Sequence, residues 1–273
     1  MFFAGFVVNA YISGAVIACL AAMVGFFTLL RGSAFAAHAL PKVGFAGAAG
    51  AILIRADPII GLAVFATGGA LAMGWLGRRG RRDVAVALTL VVALGTGALF
   101  LVLQNGYASD AYSLLFGQTV GISSRQVFDT LVLGVAGIVS LLILYRPLLF
   151  ASITPEGAQA RGLPVDRVDT AFLVITGLAT AVTVPVVGIL LTFSLIVAPA
   201  AAAGHLTHRP LRSLATSAGI AVVTVWAALT MAFVTGLPIG FFVATISTLV
   251  YAGARLVEFL LRTRTDGGRQ GVR

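Results

Sequence analysis

The sequence predicts an all-α protein, a bundle of helices that crosses a lipid bilayer several times. Several windows of more than about eighteen residues carry no charge, which is the length a helix needs to cross the hydrocarbon core. Composition agrees: 59% of residues are hydrophobic and 10% charged, with a mean hydropathy of +1.06. The apolar runs are also apolar all round, whereas strands of a membrane β-barrel alternate. With no water in the bilayer core, backbone amides must bond within their own segment, and a helix achieves that.

The spans follow in order. Phe2–Leu30 is the first, closed by Arg31. The second covers Val43 to Ile54 and extends backward through His38, and the turn Arg55-Ala56-Asp57-Pro58 follows. Ile59–Leu76 is the third, ending at the densest basic cluster, Arg78 to Arg82; Val84–Leu103 is the fourth. Gln104–Arg125 is mixed in polarity, with an apolar centre at Leu114-Leu115-Phe116, and reads as a loop with a short interfacial helix. Val127–Tyr145 is the fifth span. Phe172–Val187 and Ile189–Gly204 are the sixth and seventh, or one long broken pair: Pro185 and Gly188 mark the turn and Pro199 interrupts the second. Leu214–Val234 and Ile239–Leu261 complete the series. Residues 1–261 thus form one membrane domain, and 262–273 read as a basic, disordered tail.

Orientation follows from where the positive charge lies. With Arg78–Arg82 in the cytoplasm, counting spans both ways puts Arg31, Arg146, Arg161, Arg167, Arg209, Arg212 and the tail on the same side. Only Arg55 and Arg125 fall outside, so the positive-inside rule gives about nine spans with the N-terminus outside and the C-terminus cytoplasmic. The turn at residues 185–189 is the step in that count that a shallow bend would change.

The net charge of +9 does not mark a nucleic-acid protein, because the arginines sit in short loops between spans and do not gather on one folded face. Lys42 is the only lysine, and its surroundings exclude a phosphate-binding loop of the G-x-x-x-x-G-K type. The H-E-x-x-H pattern is also absent. Cys19, the single cysteine, allows neither an intrachain disulfide nor a cysteine cluster and reads as a small buried hydrophobe. No basic region precedes the first span and no cleavage site follows it, so no removable signal peptide is expected. No carboxylate falls at mid-depth in a span, where a proton-driven carrier usually needs one. No nucleophile–base set suggests an intramembrane enzyme. His205 and His208, spaced i, i+3, could share a metal, but beside Arg209 and Arg212 they read more simply as a solvated cationic connector. His38 has two readings. An ionisable residue within a span is a functional candidate by default, yet seven residues past Arg31 it could equally be interfacial and bonded to backbone.

The longest polar interval between spans is Ala151–Asp169. Pro155 and Glu156 suit a helix start, since proline loses no needed N–H there and glutamate faces the positive end of the dipole. Gly162-Leu163-Pro164 stops that helix. A short helix outside the bilayer, flanked by Arg161 and Arg167, is thereby offered to a cytoplasmic partner.

That run, through Pro155, Glu156, Ala158, Gly162, Leu163 and Pro164, resembles the ATPase-coupling segment of bacterial ABC transporter permeases for metal ions, the zinc, manganese and iron uptake class. Leu30, Arg31, His38, Ala39, Pro41 and Gly44 resemble a second pattern of that family. Leu114 to Gly117 with Gly121-Ile122-Ser123, and Val187 to Leu191 with Val197 to Ala202, resemble two more. The resemblance implies the permease subunit of an ATP-driven importer for a divalent transition metal in the bacterial inner membrane. It would form a homodimer, bind cytoplasmic ATPase subunits that hold the ATP, and receive metal from an extracytoplasmic binding protein. The chain itself would bind no cofactor, catalyse nothing and engage no nucleic acid. The resemblance also makes His38 a metal ligand along the pathway, and gives Pro41, Gly188 and Pro199 pathway or packing roles. An aspartate expected four residues before His38 is Ala34 here, which removes a carboxylate from that site. A secondary cation carrier or channel without an ATPase is the alternative.

Overall fold

A computed structural model describes the backbone of residues 2–79, 81–103, 124–189 and 191–270. The expected interfacial helix and the Leu114–Gly117 segment lie outside these residues. The described chain is entirely helical: α1 (Phe2–Leu30), α2 (Ala34–Leu53), α3 (Pro58–Arg79), α4 (Arg82–Leu103), α5 (Ser124–Ile153), α6 (Pro155–Ala160), α7 (Val165–Val187), α8 (Thr192–Leu206), α9 (Pro210–Thr235) and α10 (Ile239–Gln270). Helical backbone in α10 reaches Gln270, into the stretch that the sequence assigns to a disordered tail.

Of the span-length helices, three lie mostly inside the bundle. In the most apolar windows of α1, α2 and α7, 72%, 67% and 67% of residues are buried, against 17% for α4. Val91, Val92, Leu99 and Val102 of α4 and Ile143 of α5 face outward. Water would penalise such a surface and lipid does not. One apolar cluster joins α1 to α5, α7, α8, α9 and α10, while smaller ones fasten α2, α3 and α4 together and to α7. Inside α7, the hydroxyls of Thr176, Thr180 and Thr183 donate to carbonyls one turn back at 2.8, 2.9 and 2.7 Å. Buried hydroxyls are satisfied this way without a second helix.

Helices approach most closely where a side chain is missing. A Cβ on Gly47 of α2 would run into the carbonyl of Gly61 on α3, and one on Gly61 into the carbonyl of Gly47. Such contacts matter in lipid, where the hydrophobic effect does not drive helix on helix.

Among the described residues, eight helices are long and apolar enough to cross a membrane; the stretch expected as the seventh span is the fifteen-residue α8. At 1.5 Å per residue it reaches about 22 Å, short of a hydrocarbon core of about 30 Å. Gly188 sets its start. The backbone there has φ +91° and ψ 153°, a region essentially reserved for glycine. That geometry turns its carbonyl to accept the Thr192 amide at 3.1 Å and the Thr192 hydroxyl at 2.7 Å. Replacement by alanine adds about 1–3 kcal/mol of strain. We expect Gly188→Ala to lower the thermal midpoint of the detergent-solubilised protein by several degrees; an unchanged midpoint would remove this account of the turn.

Helices also run past their apolar limits. α5 continues through Pro147 to Ile153, and α7 begins at Val165, not at Phe172. Both extensions carry helix out to the polar segment between them.

Candidate functional site

The polar segment is a six-residue helix hung between two long ones. Pro155 is its first residue and Glu156 lies in its first turn. The Ala158 amide bonds back to Thr154 at 2.9 Å. At the other end Gly162 takes φ +78°, its amide reaching the Gln159 carbonyl at 2.9 Å and the Leu163 amide the Ala158 carbonyl at 3.0 Å. This crossed pair is the glycine-dependent way of closing a helix.

Only one side of α6 is anchored. Ala158 is fully buried, in the same apolar cluster as Ala151, Val165 and Val168. Leu163 is half-buried against that cluster, and the Arg161 guanidinium lies 5.6 Å from the centre of the Phe150 ring. Pro155, Glu156, Gly157, Gln159, Ala160, Gly162 and Pro164 are exposed. A proline, a carboxylate and an amide therefore stand out from a helix whose opposite side is fixed. Such a surface can dock into a groove. The Glu156 carboxylate makes no hydrogen bond to any described residue, so it is available to a partner.

Arg31, just beyond α1, joins this segment in a way that the sequence reading did not foresee. It donates from Nε to Ser152 Oγ at 2.9 Å and from Nη2 to Asp169 Oδ1 at 2.6 Å. Its guanidinium also lies 5.1 Å from the centre of the Phe172 ring. The shared cytoplasmic assignment of Arg31 and Arg167 was the only available hint that these regions meet.

His38 sits one turn into α2, half-buried. Its Nε2 lies 2.5 Å from Lys42 Nζ, and its ring meets Phe193 of α8 edge to face, centroids 4.9 Å apart. The i, i+4 spacing of His38 and Lys42 was readable from the sequence as one helix face. The ammonium occupies one of the two ring nitrogens with which an imidazole can hold a metal. Ala34 carries no carboxylate to offset it. Pro41 is buried inside α2 and Pro199 inside α8, while Gly188 shapes the turn beside Phe193. Thus His38, Phe193 and the Gly188 turn lie in one neighbourhood, apart from α6 in sequence but joined to it through Arg31 and the two-residue turn before α2.

The His205–His208 pair does not form. His205 Nδ1 pairs with the carboxylate of Glu258 on α10, with the Tyr251 ring 5.5 Å away, and His208 is exposed. Among the described residues no three His, Cys, Asp or Glu side chains converge as a metal-binding group.

Comparison with known proteins places this geometry in context. A manganese transport system membrane protein, MntC, of Halalkalibacterium halodurans is 29% identical over 68% of this chain and 65% of its own length. The high-affinity zinc uptake system membrane protein ZnuB of Haemophilus influenzae is 26% identical over 72% of this chain and 78% of its own. In three dimensions the chain superposes on PsaBC from Streptococcus pneumoniae with a TM-score of 0.83 and 22% identity, covering 91% of this chain and 90% of that one, so the fold is the same. The profile of the ABC 3 transport family matches residues 4–258, nearly the whole membrane domain, and the chain belongs to that family.

Proposed function

We propose that this chain is the membrane-spanning subunit of an ATP-driven importer for a divalent transition metal: manganese, zinc or iron. The observation that carries the proposal is α6, a short helix exposed on its polar side and rooted by the buried Ala158 between two span-length helices. Relatives named for manganese and zinc transport support the cargo class. On this reading α6 and the turn at Gly162-Leu163-Pro164 contact a cytoplasmic ATPase, which holds and hydrolyses ATP. Two copies of this chain form the pathway, and an extracytoplasmic binding protein delivers the metal.

The topology belongs to the same proposal. With α6 and Arg31 cytoplasmic, the N-terminus lies outside and the tail inside a bacterial plasma membrane, provided that α8 counts as a ninth crossing. A helix of about 22 Å can do so where the bilayer thins or neighbouring helices shield its ends. His38 then lies on the inner half of α2 as a contact for metal in transit.

Capture of the tagged chain from membranes tests the reading. An ABC ATPase subunit should co-purify, and the complex in liposomes should accumulate manganese(II) or zinc(II) only when ATP is supplied on the α6 side. Accumulation without ATP or a partner would replace it with the carrier alternative.

A further inference from the structure

Arg31 reaches both sides of the candidate coupling segment at once. Ser152 stands just before α6, near the end of α5; Asp169 stands just after it, one turn into α7. The Ser152 hydroxyl donates its own proton to the Leu148 carbonyl at 2.5 Å, which leaves its oxygen lone pairs to accept from Arg31 Nε. Donor and acceptor roles are therefore fixed around the guanidinium. The side chain is 15% exposed, and the ring below it, Phe172, packs edge-on to Phe27 of α1 with centroids 6.1 Å apart. Phe27 in turn meets Tyr145 of α5 at 6.0 Å.

The backbone at Arg31 is equally constrained. Its amide bonds to Phe27 at 3.0 Å, and Gly32 follows at φ +63°. The Ser33 amide and hydroxyl both donate to the Thr28 carbonyl, at 2.9 and 3.1 Å. α2 starts at the next residue. A displacement of the α5 and α7 ends that bracket α6 against α1 would have to break two charge-assisted hydrogen bonds, to Ser152 and Asp169, whose fork geometry lysine cannot reproduce. Otherwise it carries the α1 end, the Gly32-Ser33 turn and the first turns of α2 along with it.

We propose that Arg31 is a positioning residue that makes both ends of the α6 segment move as one body with the α1–α2 turn, so that motion imposed on α6 reaches the His38 region. The proposal rests on reading α6 as the ATPase contact, and it names the element that α6 pushes. It needs no change in the docking surface, because Arg31 bonds to Ser152 and Asp169 and not to the exposed residues of α6.

The test compares wild type with Arg31→Ala, Arg31→Lys and Asp169→Asn, the last keeping the side chain's volume if Arg31→Ala folds poorly. Manganese(II) uptake and ATP hydrolysis are measured on the same liposome-reconstituted complexes. In Arg31→Ala, uptake per ATP hydrolysed should fall at least about tenfold while the ATPase stays bound and active, with Arg31→Lys and Asp169→Asn between. Hydrogen exchange at the Ala158 and Leu163 amides of the full chain alone should rise by at least about tenfold in Arg31→Ala. An unchanged uptake-to-hydrolysis ratio, or loss of ATPase binding in step with uptake, overturns the proposal, as does unchanged exchange. A wild-type chain that neither retains an ATPase nor takes up metal overturns the reading of α6 instead, and the exchange measurement separates the two failures.

Discussion

Ala158→Glu should cut ATP-dependent metal uptake by at least about tenfold and detach the ATPase, while the membrane bundle stays folded. Ala158 is the one fully buried residue of α6. A carboxylate there would have to enter an apolar cluster, while Arg161, the nearest cation in sequence, stands exposed over the Phe150 ring at its edge. An unpaired charge in such a place costs several kcal/mol at least, more than a six-residue helix held by one small side chain can offset. The cheaper outcome is for α6 to lift away from α5 and α7, taking its exposed proline, glutamate and glutamine out of register with any groove. Ala158→Gly is the control: it removes one methyl and leaves the docking side as it was, so capture should persist. Glu156→Gln tests the other side of the helix, since it removes charge at an exposed position without disturbing the anchor. The measurement is co-purified ATPase per mole of chain, alongside a thermal midpoint for the bundle. Full ATPase retention by Ala158→Glu would mean that α6 is not what the partner holds.

The parts of this architecture visible in the sequence are those that depend on local composition. Apolar length set the helices, because a span must be both long and uncharged, and the polar interval around Pro155 and Gly162 stood out against it. Helix limits were less visible. Polarity marks where lipid ends, not where helix ends, and Val165–Asp169 continues as helix through a polar stretch once Pro164 has passed. The shortness of α8 follows from the Gly188 dihedral and a carbonyl turned toward Thr192, which apolar counting does not register. Arg31 shows the harder limit. Its partners are 121 and 138 residues away in the chain, and only the packing of α1 against α5 and α7 brings them together. Lys42 is the opposite case, since its neighbour is one helical turn away and the pairing was within reach of spacing alone.

Lys42→Met should tighten manganese(II) or zinc(II) binding to the solubilised protein by at least about tenfold, and His38→Ala in the same chain should abolish that gain. The expectation follows from the sign of the charge beside the imidazole. Two like unit charges about 4 Å apart repel by about 4 kcal/mol at an effective dielectric of about 20, and a divalent ion doubles the charge on one side. With its Nζ on His38 Nε2, Lys42 covers one of the two ring nitrogens that can ligate a metal and opposes a cation at the other, so on the proposed reading an ion would meet His38 freely only once the ammonium swings aside. Methionine keeps an unbranched, flexible side chain of similar length without the charge. In a conduit this opposition has a use, because an ion that must leave again cannot be held tightly, and the absence of a carboxylate at Ala34 acts in the same direction. Tighter binding in Lys42→Met should therefore come with slower uptake at saturating metal. Calorimetric titration and uptake on the same variant decide the matter: an unchanged Kd, or a gain that survives His38→Ala, would place the metal's path away from this pair.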